Sequence, residues 1–302
     1  MSASAVSGRL DPYPSRVGGE SRALPRLDPV LWAPGAPGPL DAEALARFER
    51  QGFLAIPSLL STGEAAGLRD ELERLQRERL HDPSEEVVRE PDSDVIRSIF
   101  RVHESEERFA RLASDRRVLE RVEQLLGGRV YVHQSRVNYK PGFDGKEFAW
   151  HSDFETWHVE DGMPRMRAVS LSLSLTPNTP HNGPLMIVPG SHRTYVACPG
   201  RTPDDHYRQS LRRQAYGTPD REILRRLVDE GGIEAPIGPP GSAVLFDCNC
   251  MHGSNGNITP IPRSNVFIVF NSVENALQAP FGGTRPRPEH IASRRVEPLE
   301  PR

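Results

Sequence analysis

Ala168-Val-Ser-Leu-Ser-Leu-Ser-Leu175 alternates without a break, Val169, Leu171, Leu173 and Leu175 on one side and Ser170, Ser172 and Ser174 on the other. Successive side chains of a β-strand leave opposite faces, so this stretch has one wholly apolar face and one lined only by small hydroxyls. A sheet face open to water more often carries Lys, Glu, Arg or Thr. Serine alone leaves room, which suits the inside of a barrel that must admit a ligand. Outward from this strand, RVYVHQSRVNY (129–139), GPLMIVPG (183–190), GSAVLFDCNC (241–250) and SNVFIVFNSV (264–273) are further strand-like runs bounded by Gly, Pro and Asn. The expected architecture is mainly β with flanking helices, a barrel contained in a single domain over residues 1–302.

The flanks read less regularly. Residues 1–39 are rich in Pro, Gly and Arg and form an irregular arm. LDAEALARFERQG (40–52) has helical spacing and stops at a glycine, and FLAIPSLLS resembles a short strand. Ser61 to Glu64 make a capping box for a helix reaching about Leu80. DPSEEVVREPDSD (82–94) is a charged loop, and a helix from about Glu106 to Leu126 ends at Gly127-Gly128. Residues 194–239 are an insertion, charged and helical near 220–230, that is either a lid or a flank.

Composition narrows the function classes. A net charge of -3 gives no electrostatic case for nucleic acid or an anionic membrane as partner. No apolar run approaches a membrane span. The first twenty residues lack the apolar centre of a signal peptide, and three cysteines, Cys198, Cys248 and Cys250, do not make a disulfide framework. A cytoplasmic protein is the simplest expectation. Of 38 basic residues only Lys140 and Lys146 are lysines, and both precede the histidine-rich run EFAWHSDFETWHVEDGMPRMRA (147–168).

That run carries the chemistry. His151 and Asp153 stand at i and i+2, so an extended backbone sends both side chains to one face. His252, after the apolar run SAVLFD, is the candidate third ligand, and Arg263 follows eleven residues later. Two histidines and a carboxylate occupy one face of an octahedron and leave three positions for a co-substrate and O2, an arrangement suited to non-haem Fe(II). Arginine then has a task, since its planar fork pairs with the far carboxylate of a 2-oxo diacid. Zinc is the competing metal, but a hydrolytic zinc site leaves Arg263 without a role. His158 fails the spacing test, because i+7 on a strand points away from His151, and is assigned to a supporting layer or the surface. His103, His133, His181, His192, His206 and His290 are assigned to packing or solvent.

His-x-Asp with a distal histidine, together with GPLMIVPGSH (183–192), resembles the phytanoyl-CoA dioxygenase superfamily of Fe(II)- and 2-oxoglutarate-dependent oxygenases. The block from Phe148 to Pro164 resembles the ectoine-hydroxylating branch of that superfamily, as do DPYPSR (11–16), RLDPVLW (26–32) and RPEHIASR (287–294). The resemblance spans nearly the whole chain and implies a double-stranded β-helix of the jelly-roll, cupin-like kind. It implies hydroxylation of ectoine to 5-hydroxyectoine with O2, Fe(II) and 2-oxoglutarate, releasing succinate and carbon dioxide. His151, Asp153 and His252 would hold iron. Arg263 would pair with 2-oxoglutarate beside Ser254 and Asn138, and Lys140 matches a lysine near that co-substrate. Gln134 would contact ectoine, Trp157 would wall its ring, and Phe246, Asn265 and Phe267 would face it. A homodimer is implied too. Three alternatives stay open at this point, a hydroxylase of another small zwitterion or amino acid, a catalytically silent ectoine-binding barrel and a zinc hydrolase.

Overall fold

The computed structural model describes residues 10–91 and 93–302. Residues 1–9 of the arm and Asp92 of the charged run lie outside the described residues. In chain order the elements begin with strand β1 (Arg22–Pro25), helix α1 (Ala42–Gln51), strand β2 (Phe53–Ile56) and helix α2 (Thr62–Glu78). The Asp41 carboxylate accepts from the Ala44 N–H at 2.8 Å to open α1, and Gly52 closes it with φ 84°. The capping box expected at Ser61 and Glu64 is present.

Strands β3 (Val87–Arg89) and β4 (Ile96–Phe100) come next, then helices α3 (Val102–Ser105), α4 (Glu107–Ala113) and α5 (Arg116–Leu126). Two expectations are corrected here. The charged run 82–94 contains β3, whose buried Val87 and Val88 are too few to show a period among charges. The single helix expected over 106–126 breaks at Ser114-Asp115, where the Asp115 carboxylate accepts from the Arg117 N–H at 2.8 Å and starts a new helix.

Strands β5 (Val130–Lys140) and β6 (Phe148–His151), helix α6 (Asp153–Thr156), and strands β7 (Ala168–Ser174), β8 (Leu185–Ile187) and β9 (Thr194–Ala197) follow. Helices α7 (Tyr207–Ser210) and α8 (Arg221–Gly231) precede β10 (Ala243–Asp247), β11 (His252–Ser254) and β12 (Arg263–Ser272). The major sheet has the order β2-β10-β7-β12-β5-β4-β3, the minor sheet β6-β11-β8, and β1 pairs with β9 alone. All of these pairings are antiparallel.

Alternation decides which face of the major sheet goes where. Val137, Leu171, Leu173, Val266, Ile268 and Phe270 point outward into a core shared with Leu68, Leu72 and Leu75 of α2, Phe109 and Leu112 of α4, and Leu119, Val122 and Leu125 of α5. Each such side chain contributes about 1.5–3 kcal/mol on burial. The serine face turns inward, where Phe246 and Phe267 of the major sheet pack with Leu185 and Ile187 of the minor one. Two facing antiparallel sheets with helices on the outside make the double-stranded β-helix.

Cross-strand register grades the inner face between β12 and β5. Arg263 pairs with Lys140, Asn265 with Asn138, Phe267 with Arg136 and Val269 with Gln134. Neighbouring pairs are two residues, about 6.6 Å, apart, so the face runs from a cationic end to an amide end.

The arm is more ordered than its composition suggests. Four of its residues form β1 against β9, the first segment of the 194–239 insertion. The Arg26 guanidinium binds Asp247 at 2.8 Å and the Met166 carbonyl at 3.0 Å. The backbone partners of β1 lie 169 to 175 positions further along the chain, and local sequence carries no trace of them. Among the described residues no helix is long and apolar enough to cross a membrane.

Candidate metal centre and its two chambers

His151 ends β6 and Asp153 is the first residue of α6, with Ser152 at the corner between them. The expectation that both leave one strand face is corrected, since a strand-to-helix turn swings the carboxylate beside the imidazole. Nε2 of His151 lies 3.6 Å from Asp153 Oδ1. His252 opens β11 directly opposite His151 in the minor sheet, and the two ring centroids are 4.2 Å apart. Its Nε2 lies 3.8 Å from Asp153 Oδ2. One ligand atom from each of the three residues falls within 4.8 Å of the others.

The protonation states suit a metal. Nδ1 of His151 donates to the Ala149 carbonyl at 2.7 Å, and Nδ1 of His252 donates to the Cys250 carbonyl at 3.0 Å. A carbonyl only accepts, so the proton sits on Nδ1 and each Nε2 lone pair faces the centre. Burial, and then the neighbouring His151, push His252 down to about 4, which leaves it neutral near pH 7. Burial would raise the Asp153 carboxyl, but His252 and His151, with Arg136 behind them, outweigh it and hold the group below the usual carboxylate range. Two imidazoles with Nδ1 tied to backbone carbonyls and a carboxylate are the donor set of a facial triad, and the residues fit ferrous iron.

Two chambers meet at this centre. The inner one is lined by Asn138, Leu185, His252, Ser254, Arg263 and Phe267. The outer one is lined by Phe100, Gln134, Asp153, Thr156, Trp157, Glu160 and Arg287. Arg136, Phe148 and His151 border both.

At the far end of the inner chamber Arg263 is 3% exposed, and its Nε and Nη1 have no hydrogen-bond partner. Burial, and then the cation of Arg97, lower it to about 10. Lys140, its cross-strand neighbour, donates from Nζ to Ser254 Oγ at 2.9 Å and to the Asn255 carbonyl. Burial, followed by Arg263 and Arg97, pushes Lys140 down to about 6. A buried guanidinium with idle donors, beside an amine that an arriving negative charge would protonate, describes a seat for an anion. Asn138 Oδ1 already accepts from Ser98 Oγ at 2.8 Å.

The outer chamber holds Trp157 at the start of a π-helical turn, Trp157–Asp161, that continues α6. The Gln134 amide is engaged at both ends, donating to the Ile291 carbonyl at 2.6 Å and accepting from Arg136 Nη1. One amide proton remains for a ligand. Ser210, Leu211, Gln214 and Tyr216, from the 194–239 segment, line the same chamber.

Phe267 lines the inner chamber rather than the outer one. Phe246 and Asn265 sit a layer behind both. The Phe246 ring lies 5.0 Å from that of His252 within an apolar cluster, and Asn265 Nδ2 donates to Ser172 Oγ at 3.0 Å. His158 is buried, not superficial. It stacks on Phe281 with ring centroids 3.9 Å apart and lies on a helical turn, where a strand argument does not apply.

Arg136 is the main residue that sequence reasoning missed. Gln134, Asn138 and Lys140 were singled out on β5 at period two, and the same alternation passes through 136. Its guanidinium lies 5.1 Å from the Phe267 ring centroid. Arg287 also went unassigned; it grips Asp161 with two bonds of 2.7 and 2.6 Å.

A model of the phytanoyl-CoA dioxygenase family matches residues 48–265. The chain is 54% identical over 291 residues to the ectoine dioxygenase of Sphingopyxis alaskensis, covering 95% of this chain and 94% of that protein. EctD from S. alaskensis solved with 2-oxoglutarate and 5-hydroxyectoine superposes with a TM-score of 0.84 at 49% identity, covering 97% of this chain and 96% of that one. The same protein with bound Fe gives a TM-score of 0.85 at 47% identity, covering 97% and 98%.

Proposed function

The chain belongs to the phytanoyl-CoA dioxygenase family, and from that premise we propose that it hydroxylates ectoine to 5-hydroxyectoine, consuming O2 and 2-oxoglutarate. One observation carries the reading. A buried, unpartnered arginine fork closes a chamber whose other end is a His-Asp-His cluster, as a 2-oxo diacid spanning the two requires. Likeness to ectoine dioxygenases over nearly the full length supplies the substrate.

His151, Asp153 and His252 would hold the iron. Ferrous iron, when held there, supplies the redox chemistry in which O2 and 2-oxoglutarate become succinate, carbon dioxide and the oxygen atom added to ectoine. The chain's own residues bind and orient. Arg263 and Lys140 take the far carboxylate of 2-oxoglutarate, with Ser254 and Asn138 beside them. Trp157 offers its face to the delocalised amidinium of ectoine, and Gln134 its remaining amide proton. Phe267 packs along the co-substrate, while Phe246 and Asn265 support His252 and the serine face from behind. Arg136 presents a cation between the two chambers. The 210–216 segment covers the outer one and keeps water from the reacting carbon. No side chain is required as acid or base.

The family likeness also favours a homodimer in the cytoplasm, which light scattering and cell fractionation would test. For the activity, purified protein with Fe(II), 2-oxoglutarate, O2 and ectoine should release succinate and 5-hydroxyectoine in equal amounts. Succinate formed only with another zwitterion would overturn the substrate, and metal binding without any turnover would leave a silent barrel.

A further inference from the structure

We propose that Arg16, at the end of the DPYPSR run in the N-terminal arm, is a positioning residue that clamps the helical segment 153–161, holding Asp153 toward the metal and Trp157 toward the substrate. The inference rests on the proposed activity for its kinetic readouts, though not for its binding readout.

Segment 153–161 links the metal-ligating cluster to the wall of the outer chamber. It starts at a metal ligand, carries the aromatic wall four residues later, and then unwinds into a π-turn. A π-turn is rare and occurs mostly at functional sites. Here the arm braces it. Arg16 Nε donates to Glu155 Oε1 at 3.0 Å, and Nη2 donates to Glu155 Oε2 at 2.6 Å and to Thr156 Oγ1 at 2.8 Å. Nη1 donates to Glu160 Oε1 and to Thr202 Oγ1 at 3.0 Å. Ser15 Oγ adds a third bond to Glu155, at 2.5 Å. A second anchor lies on the far side of Trp157, where Asp11 Oδ1 sits 2.8 Å from His158 Nε2.

Hydrogen-bond arithmetic separates positioning from binding. A guanidinium has five N–H donors, and all five of Arg16 point at protein oxygens. Although Arg16 borders the outer chamber, it has none left for a substrate. Its own backbone is held for the purpose, with φ 54° and an N–H bond to the Cys198 carbonyl at 2.9 Å. The chamber wall is built on the same pair. A Cβ on Gly217 (φ +72°) would lie 2.5 Å from Arg16 Nη2 and 2.7 Å from Glu155 Oε2, so the end of the 210–217 segment seats directly on the clamp. Buried ion pairs contribute little net stability over apolar filling, so what this one supplies is placement.

Arg16→Lys tests it, because lysine keeps the charge but presents donors from one point and cannot span Glu155, Thr156 and Glu160 together. Titrating the full chain with Co(II), well below its melting temperature, should show affinity about tenfold weaker than wild type. With Fe(II) supplied in excess, KM for ectoine should rise about tenfold and succinate should exceed hydroxyectoine, while KM for 2-oxoglutarate stays within about twofold. A plain staple would lower the melting temperature and move none of these. Wild-type Co(II) affinity and ectoine KM in this variant would overturn the proposal. Should Arg16→Lys not fold, the paired Arg16→Gln/Glu155→Gln change, which removes both charges, must show the same weakened Co(II) binding. If wild type itself fails to hydroxylate ectoine, the Co(II) titration still decides on the clamp.

Discussion

Replacing Arg263 by lysine keeps a charge at the end of the inner chamber and removes the fork. In the wild-type protein Nε and Nη1 are buried without partners, so the arriving carboxylate gains both bonds without displacing any internal ones. Each charge-assisted bond is worth about 1.5–3 kcal/mol net. Lysine recovers one of the two, so the loss is one bond, or about 10- to 100-fold in affinity. Nearby Lys140 softens the loss, which places the expectation toward the lower end. The assay is succinate release against 2-oxoglutarate concentration at saturating ectoine, repeated against ectoine at saturating 2-oxoglutarate. KM for 2-oxoglutarate should rise at least about tenfold, and KM for ectoine should stay within about twofold. The stability side has the opposite sign. Arg263 is a desolvated cation beside Arg97 and Lys140, so Arg263→Gln should leave the ligand-free melting temperature unchanged or raise it by a few degrees. An unchanged 2-oxoglutarate KM in the lysine variant, a parallel rise for ectoine, or a destabilised glutamine variant would each refute this reasoning.

Three further outcomes follow from the same geometry. Lys140, pushed down to about 6, is mostly neutral above that pH in the bare site, whereas a bound dianion favours its ammonium. 2-Oxoglutarate binding at pH 7.5 should therefore take up to about one proton, and affinity should fall as pH rises from 6 toward 8. Calorimetry in buffers of different ionisation enthalpy reads the uptake, which Lys140→Met abolishes; no uptake in wild type sinks the idea. His252→Ala removes the cross-strand partner of His151 and should eliminate Co(II) binding, so retained binding would mean that the metal sits elsewhere. Gly52→Ala places a Cβ at φ 84° against His192 and 2.7 Å from Cys250 Sγ, costing roughly 2–4 kcal/mol. A chemical denaturation midpoint equal to wild type would contradict that packing.

Whatever depends on a few consecutive residues was legible in the sequence. The Ser-Leu alternation of 168–175 announced a strand with a small-residue inner face, and that face does look into the barrel. Gly52 and the Ser61 capping box marked helix ends, because caps are made within a single turn of backbone. His151, Asp153 and His252 could be picked out by type and spacing, and they do converge. His151 and Asp153 nevertheless do not leave one strand face. They meet across a strand-to-helix corner, since whether residue 152 continues a strand depends on what the chain packs against next. His252 opposite His151, and Arg263 opposite Lys140, depend on strand register across more than a hundred residues. Register is set by burying one face and by turns elsewhere, so no local pattern contains it. The arm shows the limit most plainly. DPYPSR is a loop by composition, yet Arg16 aims four of its five donors at segment 153–161 and the fifth at Thr202, because the buried carboxylates at 155 and 160 match its charge there.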